Sequence, residues 1–77
     1  MTTAELLAEL EIMMELPAGF LKEDMPLRTL PLWDSMQVLS FMALVEEKLG
    51  FVVEGPMVTK ATSVADLLAL VHEHLQQ

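Results

Sequence analysis

The chain has 77 residues, with 12 Asp and Glu against 4 Lys and Arg, for a formal net charge of -8. One domain is the most this length supports, and so short a chain buries only about 60% of its unfolded surface. Hydrophobic residues make up 53% of it and mean hydropathy is +0.46, which excludes intrinsic disorder, while the lack of cysteine excludes a disulfide framework and thiolate chemistry.

The first helix starts at Thr2, where Thr2-x-x-Glu5 reads as a capping box. Leu6, Leu7, Leu10, Met13 and Met14 share one face, with Glu5, Glu9 and Glu15 off it. Pro17 and Gly19 are the expected stop. From Leu16 to Asp34 the period is lost and Pro17, Gly19, Pro26 and Pro31 punctuate the chain. A connection this long is expected to be ordered and laid across the helices, anchored by Phe20, Leu21, Leu27, Leu30 and Leu32.

The second helix is predicted over Ser35 to Leu49, started by Asp34-Ser35 and stopped by Gly50. Val38, Leu39, Met42, Val45 and Leu49 make its predicted core stripe. Gln37, Ser40, Leu44, Glu47 and Lys48 share an opposing arc of roughly 100°. Leu44 within that polar arc, with Phe41 at its margin, forms a candidate contact surface. Phe51-Val52-Val53 has strand propensity but no partner strand, so it reads as a connector that plugs the core. Gly55-Pro56 opens a short helix through about Ala61. Ser63-x-x-Asp66 opens the last helix, with Val64, Leu67, Leu68, Val71 and Leu75 as its buried stripe. The sum is an all-α bundle of three long helices and one short one, in a single domain over residues 1–77.

No basic cluster precedes an apolar run at the start, so a secretory signal is not supported. No apolar run approaches the roughly 18 residues of a membrane span. The expected setting is the cytoplasm, and Met1 with short ends points to a free-standing chain, expected as a monomer. The negative field disfavours nucleic acid and favours a partner with a basic patch.

Little material for catalysis is present. His72 and His74 flank opposite edges of one apolar stripe and do not easily share a metal, so they read as surface histidines. Glu46-Glu47 and Glu23-Asp24 have no companion base and read as solvated charge. The seven methionines read as core filler. What remains is Leu30-Pro31-Leu32-Trp33-Asp34-Ser35-Met36. A serine at a helix N-terminus sits beside unpaired N–H groups and the positive end of the dipole, which favour a phosphodiester on its oxygen. The plain alternative is that Asp34 or Ser35 merely caps the helix.

Asp34-Ser35-Met36 resembles the Asp-Ser-Leu attachment motif of acyl carrier and peptidyl carrier proteins. Glu46-Glu47-Lys48-Leu49-Gly50 resembles the acidic end of that family's second helix, and Lys60-Ala61-Thr62-Ser63-Val64-Ala65-Asp66 the start of its last. The likeness runs without a gap from Asp34 to Leu75, and the first helix and long loop match in length and character.

The resemblance implies an acyl-carrier-like bundle and a protein that is not an enzyme. Ser35 would receive 4'-phosphopantetheine from coenzyme A through a phosphopantetheinyl transferase, with Asp34 assisting near that enzyme's metal ion. The arm's thiol would carry acyl or aminoacyl groups as thioesters between a loading enzyme, either an adenylating ligase or an acyltransferase, and a downstream synthase or transferase. Met36, Gln37, Ser40, Leu44 and Glu47 fall where partners read such carriers, and Phe41 adds to a more apolar recognition surface. Trp33 either guides the arm or packs the loop.

The departures from the family bear on the pathway. Gln37 and Ser40 stand where fatty-acid carriers are acidic, Gly55-Pro56-Met57-Val58-Thr59-Lys60 replaces an acidic third helix, and Trp33 replaces the usual glycine. This form resembles free-standing carriers of specialised pathways, polyketide or nonribosomal peptide, including aminoacyl carriers such as the D-alanyl family. The rival expectation is an unmodified helical adaptor that docks a partner helix through Phe41 and Leu44.

Overall fold

Each long segment of helix begins at a residue whose side chain replaces a missing backbone partner. In the computed structural model, which describes residues 1–75, Thr2 caps α1, Thr3–Met13. The Thr2 hydroxyl accepts from the Glu5 N–H at 3.1 Å, and the Glu5 carboxylate accepts from the Thr2 N–H at 2.8 Å, so both bonds of the expected capping box are made. Asp34 caps α2, Ser35–Leu49, by accepting from the Gln37 N–H at 3.0 Å, and Gly50 ends it at φ 79. The short α3, Gly55–Thr59, carries Pro56 in its first turn. Ser63 caps α4, Val64–Val71. Among the described residues there is no strand, and Pro26 and Ser63 form an isolated antiparallel bridge. No helix among them is long and apolar enough to cross a membrane.

Two helix ends differ from expectation. α1 stops at Met13, before Pro17 is reached, because the chain turns at Glu15, the one described non-glycine residue with positive φ (57°). The Leu16 N–H then donates to the Glu11 carbonyl at 2.8 Å and closes the end. A left-handed residue with a Cβ costs roughly 1–2 kcal/mol, partly offset in glycine by its greater unfolded freedom. Glu15→Gly is therefore expected to stabilise the fold by about 1 kcal/mol. It should raise the urea midpoint at unchanged slope, and a lowered midpoint contradicts this account of the turn. α4 has eight residues and tightens into a 3-10 turn at His72–His74, so two helices rather than three exceed ten residues. Leu75, beyond that turn, still packs against the core.

The buried side chains form one cluster. α1 contributes Leu6 and Leu10, with Met14 just past its end; α2 contributes Phe41 and Val45; α3 contributes Val58; α4 contributes Val64, Leu67, Leu68 and Val71. Val53 plugs the core from the connector, as expected, while Val52 points outward. The stripe predicted for α2 is displaced: Leu39 is 65% exposed and Phe41 is 0% exposed. Burial of the largest apolar side chain on the helix swings the buried arc toward Phe41 and away from Leu39.

The connection between α1 and α2 is held at both ends by hydrogen bonds. Leu21, Leu27 and Leu30 are buried anchors. Phe20 and Leu32 are not, being exposed at turns that point them outward. The carbonyls of Met25 and Glu23 accept from the first-turn N–H groups of Val64 and Ala65 at 3.0 and 2.8 Å. Donors that α4 itself leaves without partners thus hold the loop. At its other end, the buried Glu11 carboxylate accepts from the Leu21 N–H at 2.9 Å. A carboxylate inside this core is tolerable because a backbone donor meets it.

The start of α4 has a second carboxylate with a pH signature. Asp66 accepts from the Thr62 N–H and the Thr62 hydroxyl, both at 2.9 Å. The backbone bond first, and the hydroxyl second, hold its pKa below the ordinary carboxylate value. Glu5 is lowered in the same direction, chiefly by the Thr2 N–H. A carboxylate depressed in the folded state adds stability above its unfolded pKa and loses it as pH falls through the folded one. Asp66→Asn is accordingly expected to be less stable than the parent at neutral pH, with the gap narrowing below about pH 4. Urea melts at neutral pH and near pH 3 check this, and a gap independent of pH contradicts it.

Candidate functional site

The division of labour at the start of α2 decides what Ser35 is free to do. The Asp34 side chain takes the Gln37 N–H, so the cap is supplied by the aspartate. Ser35 is the first helical residue, it is exposed, and its hydroxyl makes no hydrogen bond within the described residues. The N–H groups of Ser35 and Met36 belong to the first turn and have no acceptor inside the helix. An anion attached to the Ser35 oxygen would meet those donors and the positive end of the dipole.

An open cleft of about 530 Å³ starts at Ser35 and runs between α2 and α3. Its walls are Trp33, Asp34, Ser35, Val38, Leu39 and Met42 on one side and Gly55 and Thr59 on the other. At Gly55 an added Cβ would lie 3.7 Å from the Met42 Sδ, an ordinary van der Waals contact, so the approach of the two helices does not require glycine there. Leu39, displaced from the core, is part of this wall. Trp33 is half-buried and separates the cleft from a second recess formed with Leu27, Arg28, Ala61 and Thr62. Its indole therefore packs the loop and faces the cleft at once.

The remaining candidates are spread over four places. Met36 is 68% exposed beside Ser35. Gln37 is half-buried, and its Oε1 is buried without a hydrogen-bond partner. Ser40, Leu44 and Glu47 lie away from the cleft, in a groove of about 310 Å³ between α1 and α2 with Glu9, Ile12, Met13 and Ala43. Phe41 does not belong to any contact surface: it is fully buried, because it sits on the same arc as Val45 and its ring fills the core. A docking surface built on Phe41 and Leu44 therefore does not exist.

Ile12 was not expected at any site. It is 72% exposed and lies in the same groove as Met13, Ala43 and Leu44. The signal available in the sequence was weak: Ile12 falls outside the apolar face of α1 that Leu6, Leu10 and Met13 define. His72 and His74 are exposed, and the His74 ring stacks on Phe51 with centroids 3.8 Å apart. Among the described residues, no three His, Asp or Glu side chains gather as a metal site.

No family model matches the chain, and no curated protein or solved structure matches it either.

Proposed function

We propose that this chain is a carrier protein that takes 4'-phosphopantetheine on Ser35 and shuttles acyl or aminoacyl thioesters between enzymes of a specialised biosynthetic pathway in the cytoplasm. One observation carries the reading: Asp34 rather than Ser35 caps α2, which leaves an exposed, unbonded hydroxyl at the rim of an apolar cleft. A serine kept only as a cap has no reason to sit one residue inside the helix with its oxygen unused.

The residues present suit the group. In the attachment step, Ser35 Oγ attacks the phosphorus of coenzyme A next to pantetheine, its proton leaves to the transferase, and the nucleotide portion departs. The first-turn N–H groups of Ser35 and Met36 would be the donors available to the new phosphodiester. When bound, the arm supplies a terminal thiol that holds cargo as a thioester, which a chain without cysteine cannot supply itself. The apolar walls Trp33, Val38, Leu39 and Met42 suit an apolar cargo resting against the carrier more than a free aminoacyl group. The helical bundle with its stitched loop suits the small acyl-carrier-like architecture. Its role is to hold Ser35 rigid and leave chemistry to its partners.

Intact mass after co-expression with a broad-specificity phosphopantetheinyl transferase tests the proposal. The expected result is a gain of one phosphopantetheine per chain. A chain that stays bare in the presence of an active transferase overturns it.

A further inference from the structure

We infer that the recess behind Trp33 selects the cargo, with Arg28 taking the terminal carboxylate of an acyl group borne on Ser35. The inference rests on the carrier reading of Ser35 and names the chemical class of its cargo: an aliphatic acyl group that ends in a carboxylate. The recess holds about 350 Å³ and is lined by Leu27, Arg28, Trp33, Ala61 and Thr62. Leu27, Trp33 and Ala61 make it apolar, and the Arg28 guanidinium is the only formal charge in its walls. That guanidinium is exposed and makes no hydrogen bond, ion pair or ring contact within the described residues. The chain has 12 acidic side chains against 4 basic ones, yet this cation has no carboxylate partner of its own. A planar guanidinium at the edge of an apolar recess is suited to take a carboxylate from outside, through two parallel N–H donors. Thr62 has no donor to spare, because its N–H and hydroxyl both go to Asp66 at 2.9 Å. The Asp66 carboxylate is outside the lining and already met by those two donors.

Trp33 joins this recess to Ser35. The same side chain is a wall of the cleft that starts at the serine, so a cargo passes from cleft to recess by crossing one indole. The cleft has apolar walls and no Lys or Arg, and it suits the body of a cargo but not a charged end. A cargo ending in an ammonium group would meet Arg28 as a like charge, so the recess discriminates between the two ends. The net charge of -8 repels a free anion at long range, and the tether offsets this. A short flexible linker gives an effective concentration in the millimolar range, enough to seat a group whose own Kd is millimolar.

Two probes test the recess and the attachment separately. The first is the chain loaded by the transferase from adipoyl-coenzyme A, beside a hexanoyl form of equal carbon number without the second carboxylate. Amide chemical-shift mapping is expected to place adipoyl on Leu27, Arg28, Ala61 and Thr62, and hexanoyl on Val38, Leu39 and Met42. Arg28→Gln should erase the adipoyl footprint on the recess. Arg28→Lys should weaken it, because an ammonium lacks the paired donors, and so should added salt. The Arg28 side chain has no partner to lose, so both variants should fold like the parent. The second probe is free hexanoate added to the bare chain, which copies the far end of the cargo and needs no attachment. Trp33 is the sole tryptophan, so its fluorescence reports on the recess. A Kd on the order of millimolar is expected, raised about fivefold or more by Arg28→Gln. An adipoyl footprint that matches the hexanoyl one, a footprint unchanged in Arg28→Gln, or hexanoate binding indifferent to Arg28 overturns the proposal. A chain that never loads overturns the carrier reading and the cargo assignment with it, while Arg28-dependent hexanoate binding in that same chain shows the fault to lie at Ser35 and not in the recess.

Discussion

Ser35→Ala is expected to fold like the parent and to gain no phosphopantetheine mass under conditions that load the parent fully. The two halves of this expectation come from one geometric fact. The hydroxyl is exposed and makes no hydrogen bond within the described residues, so its removal should change stability by no more than about 0.5 kcal/mol, as for other surface substitutions without a partner. Asp34→Ala is the contrasting variant. It removes the side chain that accepts from the Gln37 N–H and should cost about 1 kcal/mol, within the usual range for a lost cap. Urea melts of the two variants beside intact-mass measurements separate cap from attachment point. If Ser35→Ala proves the destabilising change and the parent never gains mass, the serine is a structural residue and the carrier proposal fails. If Ser35→Ala still gains mass, the arm is attached elsewhere.

Much of the scaffold was legible because its signals are local. Thr2 with Glu5, Asp34, Gly50 and Ser63 each announce a helix end through the chemistry of one side chain and its nearest backbone groups. Of the five anchors predicted for the connection between α1 and α2, Leu21, Leu27 and Leu30 are buried. What escaped depends on neighbours distant in sequence. Glu11 looks like any solvated glutamate on α1 until Leu21 is folded back over it to donate its N–H. Glu15 carries no mark of a left-handed turn, because the bond from Leu16 to Glu11 that closes the helix lies in the backbone. The groove between α1 and α2 needs both helices, and neither Ile12 nor Leu44 alone defines it. Asp34 and Ser35 are equally good caps by type, so only the folded geometry assigns the task to the first and frees the second.

Phe41→Ala is expected to remove most of the fold's stability, while Leu39→Ala removes little. A buried phenylalanine reduced to alanine costs about 3–5 kcal/mol, combining the lost burial with the cavity left behind. A chain of this size has about 4–12 kcal/mol in total at typical values per residue. Phe41 is fully buried against a core that draws on every helix and on the loop, so neighbours cannot collapse easily into the space. Leu39 is mostly exposed and lines only the open cleft, so its truncation should cost less than about 1 kcal/mol. The helical pattern alone ranks the two the other way, with Leu39 in the core stripe and Phe41 at the margin of the polar arc. Urea midpoints therefore measure the rotation of α2 about its own axis. If Leu39→Ala is the more damaging change, α2 is turned the other way, Leu39 leaves the wall beside Ser35, and the apolar cleft that the carrier proposal uses is lost with it.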